Sequence, residues 1–296
     1  MYYNQKLEEF EAYLRGKKVA VIGMGVSNKP LLAYLHSFAC DTTVFDKRED
    51  AKIDPEILQK VEELGIQKHF GEDNLSYLHG FDIIFRSPSC RPDTPEIVAE
   101  VERGAVLTSE IELVLELCPG KVIGVTGSDG KTTTTTLIYE MVQKKGYPCY
   151  LGGNIGYPIF TKLREMTNET IVVLELSSFQ LMDTKISPDI AVITNIAPNH
   201  LDIHKSYEEY IECKENIFHF QSERGIFVTN YENAITRKLA ETVPGRVVFF
   251  SSKTKLENGY FYEDGIIKKS EDGLRRHIIT TKDIPLRGVH NFENIC

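Results

Sequence analysis

The sequence predicts an α/β fold built as two successive parallel-sheet domains, and three observations carry that expectation. Short apolar runs alternate with helical patterns through roughly the first 110 residues, as strands joined by helical crossovers do. A glycine-bearing turn follows an apolar run twice, at Gly23 and again at Gly127. Beyond Pro244 the pattern shifts to short strands. The expected architecture is a Rossmann-like domain over 1–118, then a phosphate-loop α/β domain over 119–296 with a small β-rich extension.

In the first domain, Lys18–Ile22 reads as a strand, followed by the turn Gly23-Met-Gly-Val-Ser-Asn28 and a helical stretch over 30–38. A second strand over 42–45 ends at Asp46. Gly23 and Gly25, with an acid closing the next strand, fit a dinucleotide-type fingerprint whose third glycine is missing. A tight strand–helix turn beside a solvated Asp46 fits equally well. On the binding reading, Asp46 and Arg48 hold ribose hydroxyls and a phosphate or base edge. A strand over 82–85 leads into Ser87-Pro-Ser-Cys-Arg-Pro92, a loop that cannot stay helical and lies where open α/β sheets bind ligands. A helical pattern over 110–117 is broken by Pro119-Gly120, the expected domain boundary.

The second domain opens on the apolar run 122–125 and the loop Thr126-Gly-Ser-Asp-Gly-Lys-Thr-Thr133. Gly127 and Gly130 permit backbone angles that turn consecutive N–H groups of Ser128, Asp129 and their neighbours onto a phosphate. Lys131 supplies a cation to the outer phosphates, Thr132 a hydroxyl for Mg²⁺, and the new helix a favourable potential for an anion. Val125 stands where the longer phosphate-loop pattern has a glycine, so this is the shorter Gly-x-x-Gly-Lys-Thr form. Strands follow over 171–176, 190–195 and 225–229, and 260–262 with 266–268 flank Glu263-Asp-Gly265 as a hairpin. The last seven residues, from His290 to Cys296, read as a helix just starting, so a truncated chain is expected.

Three further positions carry chemistry. Glu175 ends an apolar strand near the phosphate loop, where a Mg²⁺-holding acid belongs, although a capped edge strand would also place it there. His200, Asp202 and His204 fall on a loop with spacing unsuited to zinc; His200 is the candidate for a metal or phosphate role, the other two for solvated loop positions. Ser206-Tyr-Glu-Glu209 opens a helix as a capping box, and Lys214 lies on its apolar stripe. A lysine there extends its amine to water, pairs with an acid, or loses its charge, carbamylation by CO₂ being one route.

Composition narrows the class. With 296 residues, 42% hydrophobic and 26% charged, the chain has room for about two globular domains. A net charge of −9 argues against general nucleic-acid affinity. No apolar run is long enough to span a bilayer, the N-terminus does not read as a targeting peptide, and six cysteines without a CxxC pair suit reduced thiols in the cytosol.

Taken together, TGSDGKTTTT, GGNIG at 152–156, the strand-end Glu175, NIAPNHLDIH, the Lys214 helix and the terminal GVHNFEN resemble the Mur ligases, the ATP-dependent amino-acid ligases of peptidoglycan synthesis. The run ELSSFQL at 175–181 is similar to the branch that adds D-glutamate to UDP-N-acetylmuramoyl-L-alanine; the branch that adds a diamino acid has a histidine where Phe179 stands. SEIEL at 109–113 and the N-terminal glycine turn fit as well. The resemblance covers the whole chain and implies an acyl-phosphate mechanism with ATP and two Mg²⁺. It implies ATP contacts from Gly127, Ser128, Asp129, Gly130, Lys131, Thr132 and Thr133, with Asn291 and Asn294 toward the adenine. One Mg²⁺ would sit on Thr132 and Glu175, the second on His200 and carbamylated Lys214. Gly23, Gly25, Val26, Ser27, Asp46, Arg48 and Ser87 would hold the uridine diphosphate, and Asn154, Ser177 and Gln180 the muramoyl-alanine end. Asn28 and Ser89 depart from the small residue and the glycine frequent at those places. The family's third, C-terminal domain is not represented, so the chain is expected to bind but not to complete ligation, as a cytoplasmic monomer without nucleic-acid or membrane partners. The alternatives are a folylpolyglutamate-type ligase, which lacks the N-terminal domain, a non-catalytic nucleotide-sugar-binding protein, and a nicotinamide-dependent oxidoreductase.

Overall fold

Valine, isoleucine and threonine fill the central strands, residues whose branched side chains suit a pleated surface buried on both faces. The computed structural model describes residues 2–25, 28–199, 203–284, 286 and 288–296, so the expectations for Val26, Ser27, His200 and Asp202 lie outside the described residues. The chain forms two units. Residues 1–119 with 157–168 make the first, and 120–156 with 169–296 the second.

The first unit holds a five-stranded parallel sheet, β1 (Lys18–Ile22), β2 (Asp41–Asp46), β3 (Gln67–Phe70), β4 (Ile83–Arg86) and β5 (Val106–Thr108), in the order β3-β2-β1-β4-β5. The order reverses between β1 and β4, which opens a crevice at their carboxyl ends. β3 and β5 escape the sequence patterns: both are sheet edges, short and partly solvated. The helix expected over 30–38 runs Asn28–Ser37. Asn28 is buried, and its amide donates to the Gly23 and Ile22 carbonyls at 2.7 and 3.3 Å, lacing the turn back onto β1.

Asp46 locks the same turn. Burial alone would push its carboxyl up, but bonds from the Arg48 guanidinium, the Met24 N–H (2.7 Å) and the Arg48 N–H (2.9 Å) hold it below the ordinary carboxylate value. The segment 157–168 packs into this unit through Phe160, whose ring meets Tyr34 edge-on at 4.8 Å, and through Arg164, paired with Glu8 and Glu11. Buried Glu110 receives it: one carboxylate oxygen accepts the N–H groups of Ile159 and Phe160 at 3.1 and 3.2 Å.

The second unit carries a nine-stranded sheet: β6 (Lys121–Thr126), β7 (Cys149–Gly153), β8 (Ile171–Glu175), β9 (Ile190–Ile193), β10 (Ile226–Asn230), β11 (Arg246–Ser251), β12 (Gly259–Glu263), β13 (Ile266–Glu271) and β14 (Leu274–Thr280). Their order is β14-β13-β12-β11-β10-β9-β6-β8-β7, parallel from β7 to β12 and antiparallel beyond. The β12–β13 hairpin turns at Asp264 (φ 50°) and Gly265 (φ 79°), as the sequence predicts. β14 is mostly exposed, so its polar run gives no strand signal. Among the described residues no helix is long and apolar enough to cross a membrane.

Two outcomes follow for stability. Glu110→Ala orphans two N–H groups and should cost roughly 1–3 kcal/mol in urea denaturation, whereas Glu110→Gln, which keeps an acceptor oxygen, should retain most of the stability. For Asp46, whose folded pKa is lowered, the contribution is complete above the unfolded value and is lost as pH falls through the folded one. Asp46→Asn should therefore cost roughly 1–3 kcal/mol at neutral pH, with the gap to wild type closing in strongly acidic solution.

Candidate active site

The phosphate loop runs from the end of β6 to the helix Lys131–Lys144. Gly127 (φ 153°) and Gly130 (φ 78°) take angles that disfavour a side chain, and each also lacks room for one. A Cβ on Gly127 would sit 1.9 Å from Thr194 Oγ1, and one on Gly130 would sit 2.3 Å from Asn294 Oδ1. The loop is clamped from β9's end. Thr194 Oγ1 donates to the Asp129 carbonyl at 2.6 Å, Asn195 Oδ1 accepts the Asp129 N–H at 3.0 Å, and the Asn195 carbonyl accepts the Ser128 N–H at 2.9 Å. Thr194 and Asn195 are loop-shaping residues that the sequence reading missed. Their signal is a hydroxyl and an amide directly after a buried strand.

Ser128 points inward rather than toward a ligand. Its hydroxyl lies 2.8–2.9 Å from the Ala197 carbonyl, the Ala197 N–H and the Tyr210 hydroxyl, and its N–H is given to Asn195, so neither the hydroxyl nor the N–H expected to meet a phosphate is turned toward one. Lys131 Nζ donates to the Ser128 carbonyl at 2.9 Å, folded over its own loop. Thr132 and Thr133 follow in the first helical turn, and the Thr132 hydroxyl donates to Glu175 Oε2 at 2.7 Å. The other oxygen, Oε1, accepts from the Asn154 amide at 2.8 Å. Thus Thr132 and Asn154 both bond the buried Glu175, and Asn154, expected toward the muramoyl-alanine end of the substrate, has its amide engaged there instead. The fit at Glu175 is tight: Gly153 (φ 90°) lets β7 pass so close that a Cβ would lie 2.1 Å from the Glu175 carbonyl.

Lys214 does not snorkel. It is buried on the helix Tyr207–His219, with its amine donating to the Gly127 carbonyl at 3.0 Å and to Thr126 Oγ1 at 3.2 Å, 4.7 Å from the Tyr210 ring. Burial, and secondarily the Lys131 charge, brings its pKa down to about 7. Ser206 caps this helix by accepting the Glu209 N–H, while the Glu209 carboxylate accepts from Lys205.

Several positions have other company than expected. His204 is no solvated loop residue. It is buried, 2.9 Å from the Ser178 hydroxyl and stacked on Phe179 at 4.9 Å, because the loop folds its ring against the short helix Ser178–Leu181. Ser177 and Gln180 form a complete capping box at that helix's start, which engages both side chains. Asn291 and Asn294 lie on the helix Val289–Ile295 and touch at 3.3 Å, and Asn294 overhangs Gly130.

The first unit has its own cavity, about 640 Å³, at the carboxyl ends of β1 and β4. Gly23, Gly25, Asp46, Arg48 and Ser87 line it, and Asn28 and Ser89 line it too. Asp46 is engaged with Arg48 and Met24, so the free polar edge comes from backbone, serine hydroxyls and the exposed side of Arg48. Among the described residues, no cluster of three or more His, Cys, Asp or Glu could hold a metal.

Known proteins match the chain in both of its units. The Mur ligase middle domain profile matches residues 125–296, and the profile of a MurD-like Mur ligase N-terminal domain matches 17–109. The chain is 48% identical over 291 residues to the UDP-N-acetylmuramoylalanine–D-glutamate ligase of Acetivibrio thermocellus, and 49% identical over 292 residues to that of Ruminiclostridium cellulolyticum. These alignments cover 98% of this chain but 62% of each relative's length. Among solved structures, the UDP-N-acetylmuramate:L-alanyl-gamma-D-glutamyl-meso-diaminopimelate ligase of Neisseria meningitides shares the fold at TM-score 0.59 and 20% identity, with 94% of this chain and 90% of that one covered. The UDP-N-acetylmuramate–alanine ligase of Thermotoga maritima does so at TM-score 0.51 and 23% identity, covering 94% and 63%. With both domain profiles matched and the middle one spanning more than half its length, the chain belongs to the Mur ligase family.

Proposed function

We propose that this chain is the substrate- and ATP-binding part of a ligase that adds D-glutamate to UDP-N-acetylmuramoyl-L-alanine in the cytoplasm. The observation that carries the reading is the meeting of Thr132 and Asn154 on one buried carboxylate, Glu175, with Lys131 preceding Thr132 in the helix that opens from a phosphate loop. The 48–49% identical relatives supply the substrate.

Thr132 and Glu175 offer hard oxygen donors 2.7 Å apart, a set that fits Mg²⁺ completed by phosphate oxygens and water. When bound, Mg²⁺ would neutralise charge on the β- and γ-phosphates. Asn154 fixes the Glu175 carboxylate's direction, and the N–H groups at the start of the helix Lys131–Lys144 would bind the phosphate oxygens. Lys131 would leave the Ser128 carbonyl for the γ-phosphate, reducing the repulsion between two anions. An oxygen of the substrate's alanyl carboxylate attacks the γ-phosphorus, the β–γ bridging bond breaks, and ADP departs. The amine of D-glutamate then attacks the acyl phosphate carbon and loses a proton; inorganic phosphate leaves and the amide remains. A second Mg²⁺ would take His200 and Lys214 in carbamylated form. An amine with a pKa of about 7 is substantially neutral at physiological pH, the form that reacts with CO₂.

Calorimetry on the chain should show binding of UDP-N-acetylmuramoyl-L-alanine and of ATP–Mg²⁺, and Lys131→Ala should weaken only the nucleotide triphosphate, by roughly tenfold or more. Binding of NAD in place of both would sink the ligase reading. For Lys214, ¹³C-bicarbonate should give a carbamate carbonyl resonance in wild type that is missing in Lys214→Ala. A spectrum with no such signal at saturating CO₂ would remove the second metal site from the proposal.

A further inference from the structure

The loop 87–91 forms one wall of the first unit's cavity, and it grows directly from the end of β4. Arg86, the last residue of β4, is buried and, among the described residues, is the largest fully buried side chain. Burying a guanidinium costs several kcal/mol unless its donors are satisfied, so where those donors go decides what the residue does. Nη1 donates to the Cys90 carbonyl at 2.8 Å and to the Ser87 carbonyl at 3.2 Å, closing the loop on itself from behind. A planar guanidinium sets the direction of such bonds in a way a point charge does not.

The loop so held has little slack. The Ser87 N–H donates to the Ile22 carbonyl at 2.9 Å, and Ser87 Oγ lies where a Cβ on Gly23 would be, 2.2 Å away. Ser87 and Ser89 hydroxyls meet at 2.9 Å and face the cavity, beside Gly23 and Asn28. Arg86 does not itself line that cavity. We propose that Arg86 is a positioning residue for the nucleotide cavity: it fixes loop 87–91 so that the Ser87 and Ser89 hydroxyls and loop backbone meet a pyrimidine nucleoside diphosphate, without touching that ligand. This rests on the nucleotide-sugar reading of the cavity.

The test titrates UDP-N-acetylmuramoyl-L-alanine, and separately ATP–Mg²⁺, into the whole chain as wild type, Arg86→Lys and Arg86→Met. Arg86→Met should lose roughly tenfold or more in affinity for the nucleotide sugar, the scale of losing bonds to a charged donor. Arg86→Lys should recover part of it, ATP–Mg²⁺ affinity should stay within twofold, and amides of 87–91 should exchange faster with deuterium. If Arg86→Met does not fold, Arg86→Lys carries the comparison against wild type. Unchanged nucleotide-sugar affinity in a folded variant overturns the positioning role, and so does a parallel loss of ATP binding, which marks general destabilisation. Wild type that binds ATP but no nucleotide sugar overturns the cavity's assignment instead, and this inference with it.

Discussion

The close approach of Gly127 to Thr194 governs the second unit's site. With no Cβ at Gly127, the threonine hydroxyl enters the space a side chain would fill and ties down Asp129, and Asn195 adds three more bonds to the loop. Each bond is worth about 1 kcal/mol net, but together they fix the loop's backbone before any anion arrives. Lys214 takes the Gly127 carbonyl from beneath, so the loop is held from two sides by groups from two different strand–helix segments. Glu175 reaches the same spot only because Gly153 lets β7 pass against its backbone. Small residues at these contacts decide where the charged ones can stand.

Much of this was legible in the sequence, and unevenly so. Buried parallel strands announce themselves as apolar runs, so β1, β2, β4, β6, β8, β9 and β10 are found within a residue or two; edge strands such as β3 and β5 are short and partly solvated, and too few of their residues are buried to set a pattern. The phosphate loop, Glu175 and Lys214 stand out because each breaks a pattern: glycines after a strand, an acid at a strand's end, a lysine on an apolar stripe. His204 was misread because burial of a loop residue depends on what folds over it, and neighbours in space at Ser178 and Phe179 are more than twenty residues away in sequence. Thr194 and Asn195 were overlooked because polar residues past a strand look like any loop.

The two glycine turns also show how similar sequence signals diverge. Each follows a buried strand and opens a helix, and each has one glycine whose missing side chain admits a neighbour's hydroxyl: Ser87 at Gly23, Thr194 at Gly127. In the first, the nearby acid is spent internally, since Asp46 neutralises Arg48 and caps the Met24 N–H. In the second, a cation remains at hand in Lys131 over the loop, with the largely neutral amine of Lys214 under it. The first turn suits a ligand read by hydroxyls and backbone, the second one read by charge.

The segment 157–168 belongs to the first unit although the second unit's chain surrounds it. The polypeptide therefore passes between the units three times, and no single cut divides it into two self-sufficient pieces. A gene fragment stopping at Pro119 would take from Glu110 the two N–H groups it accepts and from Tyr34 the edge-on ring of Phe160. Recombination that exchanged one sheet for a foreign one at a single junction would meet the same penalty. The two sheets are bound to be inherited as a pair.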